Sequence, residues 1–323
     1  MIEPAGASTD LGDGLDLAEL LMLVRRIEAQ SERLVSGVLA GGYKSRFRGS
    51  GIEFEEIREY VDGDDPRAVD QAVTARMGRP FVRSYVEERD LTMMLLLDLS
   101  ASMVDGGFGH WSARQTAARI AACLAMSATH SDDKVGMLAF AEQVEKVVPA
   151  KKGLRHVLRI VRDCLSLPGS TKKTDLAAAL EFVARSARRH SVVFVLSDFL
   201  DLDLDTERFR RALALASRHH EVVAVRLLLP ELDPELLHHS GAGLVHTLDP
   251  ETAQRRTVDF GSRRVRHEYA ARTAAWRERL DTLLRRSRID VMDVPVPRTP
   301  DDDAIAGPIL RFFGAQQRRG RKR

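Results

Sequence analysis

The sequence predicts an α/β chain: a doubly wound, mostly parallel sheet with helices on both faces, preceded by a small N-terminal extension. Three observations carry that prediction. First, Leu91 to Leu97 is apolar except for Thr92 and stops abruptly at Asp98-Leu99-Ser100-Ala101-Ser102. A short apolar run bounded by polar residues reads as a strand buried on both faces, the kind that parallel sheets contain. Second, further short apolar runs downstream alternate with helical segments of about a dozen residues, the pattern of strands joined by crossover helices. Third, a chain of 323 residues that is 44% hydrophobic and 30% charged can bury a sizeable core.

Taken in order, residues 1–14 read as disordered. Leu15 to Leu39 repeats apolar residues at helical spacing, with Asp16 as N-cap, Glu19 three residues on, and Gly41-Gly42 as the stop. Gly63-Asp64-Asp65-Pro66 is a turn that opens a short helix, with Asp64 or Asp65 tied to an arginine. Arg79 to Val86 alternates as a strand. Residues 15–90 therefore form a helix and an extension packed on the main domain.

The main domain is expected over residues 91–296. Its helices are Trp111 to Thr129, Gly153 to Leu165, Thr174 to Arg189, Thr206 to His219 and the Arg-rich Val265 to Arg288. Its further strands are Lys134 to Phe140, Gln143 to Pro149, Ser191 to Leu196, Glu221 to Leu229 and Ile289 to Val296, with a hairpin at 244–260. Residues 297–323 are read as a linker, a short helix from Ala304 to Phe313, and a basic tail.

Several classes drop out on composition. No apolar run approaches the ~18 residues that span a bilayer. Met1 to Asp16 lacks the basic and apolar regions of a signal peptide. The only cysteines, Cys123 and Cys164, lie in apolar helical patterns and read as buried thiols, so a cytoplasmic location is expected. Net charge is only +2, and no phosphate-binding glycine loop follows any strand. The adjacent pairs His219-His220 and His238-His239 face different ways on a helix or strand, which disfavours a two-histidine metal site.

Candidate site residues come from three loops. Asp98, Ser100 and Ser102 present a carboxylate and two hydroxyls on the first. Thr174 precedes a helix on the second. Asp198 ends a second buried strand on the third. In a parallel sheet all three loops share the carboxyl edge, where open α/β sheets carry their ligand crevice. Five hard oxygen donors suit Mg²⁺, with Mn²⁺ or Ca²⁺ as alternatives, and leave room in an octahedral shell for water or an outside ligand. Taken alone, Asp98-x-Ser100-x-Ser102 also fits a helix-capping turn.

Asp98-x-Ser100-x-Ser102, then Thr174, then Asp198, resembles the metal-ion-dependent adhesion site of von Willebrand factor A domains, and residues 91–296 follow that fold's order. Upstream, Gly42-Tyr43-x-Ser45-x-Phe47-x-Gly49-x-Gly51-x-Glu53-Phe54, Arg58-x-Tyr60-x-x-Gly63-Asp64-Asp65-x-Arg67 and Thr74-Ala75-Arg76 are similar to the domain-of-unknown-function 58 family. Asp70-Gln71 stands where that family usually has Asp-Trp.

The resemblance implies a non-enzymatic, Mg²⁺-dependent protein-binding module. Its partner would supply an acidic residue. It would act as an adaptor beside an AAA+ ATPase of the MoxR type, in maturing or activating protein complexes. Two alternatives stand beside it. One is a metal-dependent hydrolase or phosphotransferase with Asp98 as nucleophile, disfavoured because Ser100 occupies the place of a second acid. The other is nucleic-acid binding through the Arg-rich helix and the basic tail, which lacks interleaved aromatics.

Overall fold

The computed structural model describes residues 54–61, 64–66, 69–85, 91–104, 110–170, 174–186, 189–200, 202–233, 243–248, 255–299 and 303–320, and Met22, Arg25 and Arg26 upstream. The helix expected over 15–39, the glycine motif from Gly42 to Glu53, His238-His239 and the last three residues lie outside the described residues, those three upstream positions excepted.

The extension is an antiparallel pair, β1 (Phe54–Glu59) and β2 (Phe81–Tyr85), joined through the short helix α1 (Gln71–Met77). Asp70 caps α1 by accepting from the Ala72 and Val73 amides, and Gly78 closes it at φ 70°. Gln71, next to that cap, is exposed. Asp64 is gripped by both terminal nitrogens of Arg58 at 2.7 and 2.6 Å, the expected tie to an arginine.

The central sheet has six strands: β3 (Thr92–Asp98), β4 (Lys134–Phe140), β5 (Val144–Lys151), β6 (Val192–Ser197), β7 (Glu221–Leu228) and β10 (Asp290–Pro295). They lie in the order β5-β4-β3-β6-β7-β10, parallel except for β5. Numbered within the sheet, that order is 3-2-1-4-5-6, in which chain direction across the sheet reverses at the central strand β3. A separate antiparallel hairpin, β8 (Leu244–Leu248) with β9 (Arg255–Asp259), follows β7.

Helices cover both faces, beginning with the single turn α2 (Ala101–Val104) that follows β3, and the period of two along β3 shows how. Met93, Leu95 and Leu97 enter one core with α3 (Ala113–His130), α4 (Leu154–Ser166) and α8 (Asp303–Gly320). Met94 and Leu96 face the other, with α5 (Leu176–Ser186), α6 (Glu207–His219) and α7 (Arg263–Arg286). The Ala-rich α3 is buried along most of its length because small side chains let its backbone approach the sheet closely. The edge is pinned by Arg226 of β7, which binds Asp293 of β10 through two bonds of 2.7 and 2.9 Å and Asp281 of α7 at 2.8 Å. A buried guanidinium is tolerated there because two carboxylates satisfy it.

Candidate metal centre

The three predicted loops meet at the carboxyl edge of β3 and β6, on either side of the point where strand order reverses. Backbone bonds hold them there. The Leu99 amide donates to the Phe140 carbonyl at the end of β4, and the Ser170 amide donates to the Leu99 carbonyl. The Asp175 amide donates to the Ala141 carbonyl, which fixes the loop before α5 beside the same edge. Asp175 itself is occupied with structure. One oxygen caps α5 at the Ala178 amide, and the other receives Arg208 Nη1 at 2.6 Å.

Asp98 is the centre of the arrangement. Its side chain is buried, Oδ1 accepts from the Ser100 amide at 2.8 Å, and Oδ2 accepts from Ser197 Oγ at 2.6 Å. Ser100 Oγ and Ser102 Oγ lie 3.1 Å apart, so the first loop turns both hydroxyls together. Burial pushes the Asp98 carboxyl above the usual range, and the hydrogen bonds from Ser197 and Ser100, with the nearby Thr174 hydroxyl, pull it back. Thr174 Oγ1 is itself buried and reaches no hydrogen-bond partner within the ordinary distance.

Asp198 is buried beside Ser197, and its Oδ1 accepts from the Leu200 amide at 2.9 Å. Between them Phe199 adopts a left-handed backbone, φ 58°, which costs a non-glycine residue on the order of 1–3 kcal/mol. The turn is held by the Phe199 amide donating to Ser197 Oγ at 2.8 Å and by burial of the Phe199 ring in the second core.

The structure thus links Asp98, Ser100, Ser102 and Thr174, and brings Asp198 to the same edge through Ser197. Two residues were absent from the predicted donor set. Ser197 orients Asp98 and locks the third loop. Arg114 of α3 is wholly buried, donates through Nε to the Cys164 carbonyl at 2.9 Å, and feels the Asp98 charge. Burial lowers its pKa to about 10, so it stays cationic and offsets part of the carboxylate charge. An arginine inside an alanine-rich apolar helix was the available signal.

The donor set fits a hard divalent cation. Two buried carboxylates at one edge are costly without a compensating cation, and the hydroxyls present neutral oxygens of the kind such ions accept. Among the described residues, no group of three or more His, Cys, Asp or Glu side chains is placed to hold a metal ion, so any cation here rests on two carboxylates and neutral hydroxyl oxygens. Cys123 and Cys164 are free and buried, and burial pushes the Cys164 thiol up to about 12, far from a metal-binding thiolate.

Comparison with known proteins bears out the similarity to the domain-of-unknown-function 58 family. A sequence model of the family described as protein of unknown function DUF58 matches residues 56–279. Uncharacterized proteins of Mycobacterium tuberculosis and Mycobacterium bovis are each 29% identical over 312 residues, covering 94% of this chain and 92% of theirs. Among solved structures, the conserved hypothetical protein BatB from Bacteroides thetaiotaomicron matches at TM-score 0.40 and 14% identity, over 71% of this chain and 99% of its own. A von Willebrand factor type A protein from Catenulispora acidiphila matches at 0.31 and 14%, over 59% and 43%.

The expected cytoplasmic location is corrected. Two further neighbours are described as an aerotolerance-related membrane protein from Bacteroides fragilis and an uncharacterized membrane spanning protein from Vibrio fischeri. Among the described residues no helix is long and apolar enough to cross a membrane. That fact does not separate a cytoplasmic chain from one held at a membrane, so the sequence argument for the cytoplasm falls.

Proposed function

The chain belongs to the family of proteins of unknown function DUF58, and from that membership we propose that it is a non-enzymatic, metal-dependent protein-binding module. Asp98, Ser100, Ser102, Thr174 and Asp198 would hold Mg²⁺, with Mn²⁺ or Ca²⁺ as substitutes. The observation that carries the reading is the buried Thr174 hydroxyl, which makes no hydrogen bond and lies close to the Asp98 carboxylate at the strand-order reversal. When bound, the cation supplies a Lewis-acid position that a carboxylate from a partner can fill.

The chain's own residues prepare that position. Ser197 and the Ser100 amide fix the Asp98 carboxylate from two sides and still leave lone pairs free. The strained turn at Phe199 sets Asp198 at the strand end. Arg114 keeps a positive charge close to the site. Nothing in this set activates a nucleophile: Ser100 stands where a hydrolase would need a second acid. On the family resemblance, the partner would be an AAA+ ATPase of the MoxR type that presents an acidic side chain, with this chain as adaptor in the maturation of protein complexes.

Isothermal titration with MgCl₂ and MnCl₂ tests the site. Wild type should bind and Asp98→Asn, nearly the same size, should not. Equal binding by both would overturn the assignment. Partner capture should fail with EDTA and weaken in Thr174→Ala more than ion binding does. Capture that ignores both would remove the metal from the recognition step.

A further inference from the structure

The helices α6 and α7 lie on the same face of the sheet, ahead of the neighbouring parallel strands β7 and β10. Both send apolar residues into one core, Phe209 and Leu213 from α6 and Leu280 and Leu284 from α7. Yet α6 packs far more extensively along α5 than along α7. A groove of ≈ 990 Å³ remains between them, large enough for a short peptide segment. Ala214, Ala275 and Leu283 line it with small or apolar surface.

The groove is strongly basic. Arg210, Arg218, Arg279, Arg286 and Arg288 line it, against the carboxylates of Asp205 and Glu278 alone. Asp205 is already engaged: its carboxylate takes Arg279 and its carbonyl takes Arg210. Arg218, Arg286 and Arg288 are exposed and make no ion pair or side-chain hydrogen bond among the described residues. Arg218 and Arg286 sit in the last turns of their helices, where a cation complements the helix dipole. That role uses only about half a charge per helix end.

Arg288 follows the end of α7 at φ 56°, a left-handed position that closes the helix and that glycine would fill with less strain.

We propose that the α6–α7 groove binds an acidic segment of a partner protein, whose carboxylates pair with Arg218, Arg286 and Arg288. No aromatic side chain lines the groove, so nucleic-acid bases find no stacking surface there. At its other end, Leu204 and Asp205 continue the loop that begins at Asp198. A protein docked at the carboxyl edge can therefore run on into the groove, although the groove's charge is independent of any metal.

The test is fluorescence anisotropy on the full chain in EDTA, which silences the metal centre. The probes are labelled oligoglutamate, oligoglutamine and single-stranded oligothymidine. Oligoglutamate should bind, and salt should weaken it because exposed charges are screened over ~8 Å. The triple substitution Arg218→Glu, Arg286→Glu, Arg288→Glu should weaken it at least about tenfold. Arg218→Gln with Arg286→Gln and Arg288→Gly, which relieves the backbone strain, should do the same with the thermal melt retained. Arg264→Glu, on the first turn of α7, should bind as wild type does. No oligoglutamate binding, an unaffected triple variant, tighter binding of oligothymidine, or equal loss in Arg264→Glu would each overturn the proposal.

Discussion

His220 ends α6 as a buried imidazole whose ring nitrogens reach no hydrogen-bond partner. Burial lowers its pKa below the ordinary 6.5, the neighbouring His190 and His219 lower it further, and the Val183 backbone opposes the shift only weakly. Between the lowered folded value and 6.5 the unfolded chain therefore binds more protons than the folded one. The stability tied to neutral His220 is complete above 6.5 and is lost as pH falls through the folded value. His220→Gln should flatten the fall in urea midpoint between about pH 7 and pH 5, the range in which histidine titrates. An unchanged slope would place that acid sensitivity elsewhere. Residues of this kind were the hardest to read in advance. Asp98, Ser100 and Ser102 were legible because they are nearly contiguous at the end of an apolar run, and Thr174 and Asp198 because strand ends and helix starts share an edge. Ser197 was not, because a serine's role beside Asp98 depends on the register of β3 against β6, which pairs Leu97 with Leu196.

At the scale of elements, β4 and β5 show a constraint that propensity does not. Their register shifts between Val135 and Met137, at Gly136. A Cβ at Gly136 would lie 2.7 Å from Met94 Sδ and 3.0 Å from both the Ala150 amide nitrogen and the Val148 carbonyl oxygen. Gly136→Ala should therefore cost about 1–3 kcal/mol, as overpacking in a core does, measured by urea unfolding. Adding Met94→Ala should recover little of it, because the backbone of β5 still stands in the way. If Gly136→Ala cost nothing in the Met94→Ala background, the methionine alone would be the obstacle. The strands and helices themselves were legible because each sheet strand is a compact apolar run and each helix keeps one apolar stripe. The order of strands was not, since it is fixed by packing between segments far apart in sequence. The last helix also runs further than expected, from Asp303 to Gly320 with Pro308 inside it, where the sequence indicated a short helix and a tail.

For the whole molecule, the question is where the folded unit ends. The sheet closes with β10 at Pro295, but one face of the core does not. Ile305, Ile309 and Phe313 of α8, four residues apart on one stripe, are buried with Met93 and Leu95 against the face that α3 and α4 also cover. Each such side chain contributes about 1.5–3 kcal/mol by leaving water. Their combined burial is comparable to the ~5–15 kcal/mol net stability of a typical domain. A chain ending at residue 302 should therefore aggregate or melt far below the full chain, because its loss uncovers apolar surface on the sheet as well as on the helix. A chain ending at residue 314 keeps all three anchors and should melt with the full protein, even though it lacks the basic stretch from Gln316 to Arg323. Thermal melting of the two shortened chains by circular dichroism separates the contributions. Equal melting at both lengths would show that the sheet closes without α8. A fall at residue 314 as large as at 302 would move the stabilising contacts into the basic end.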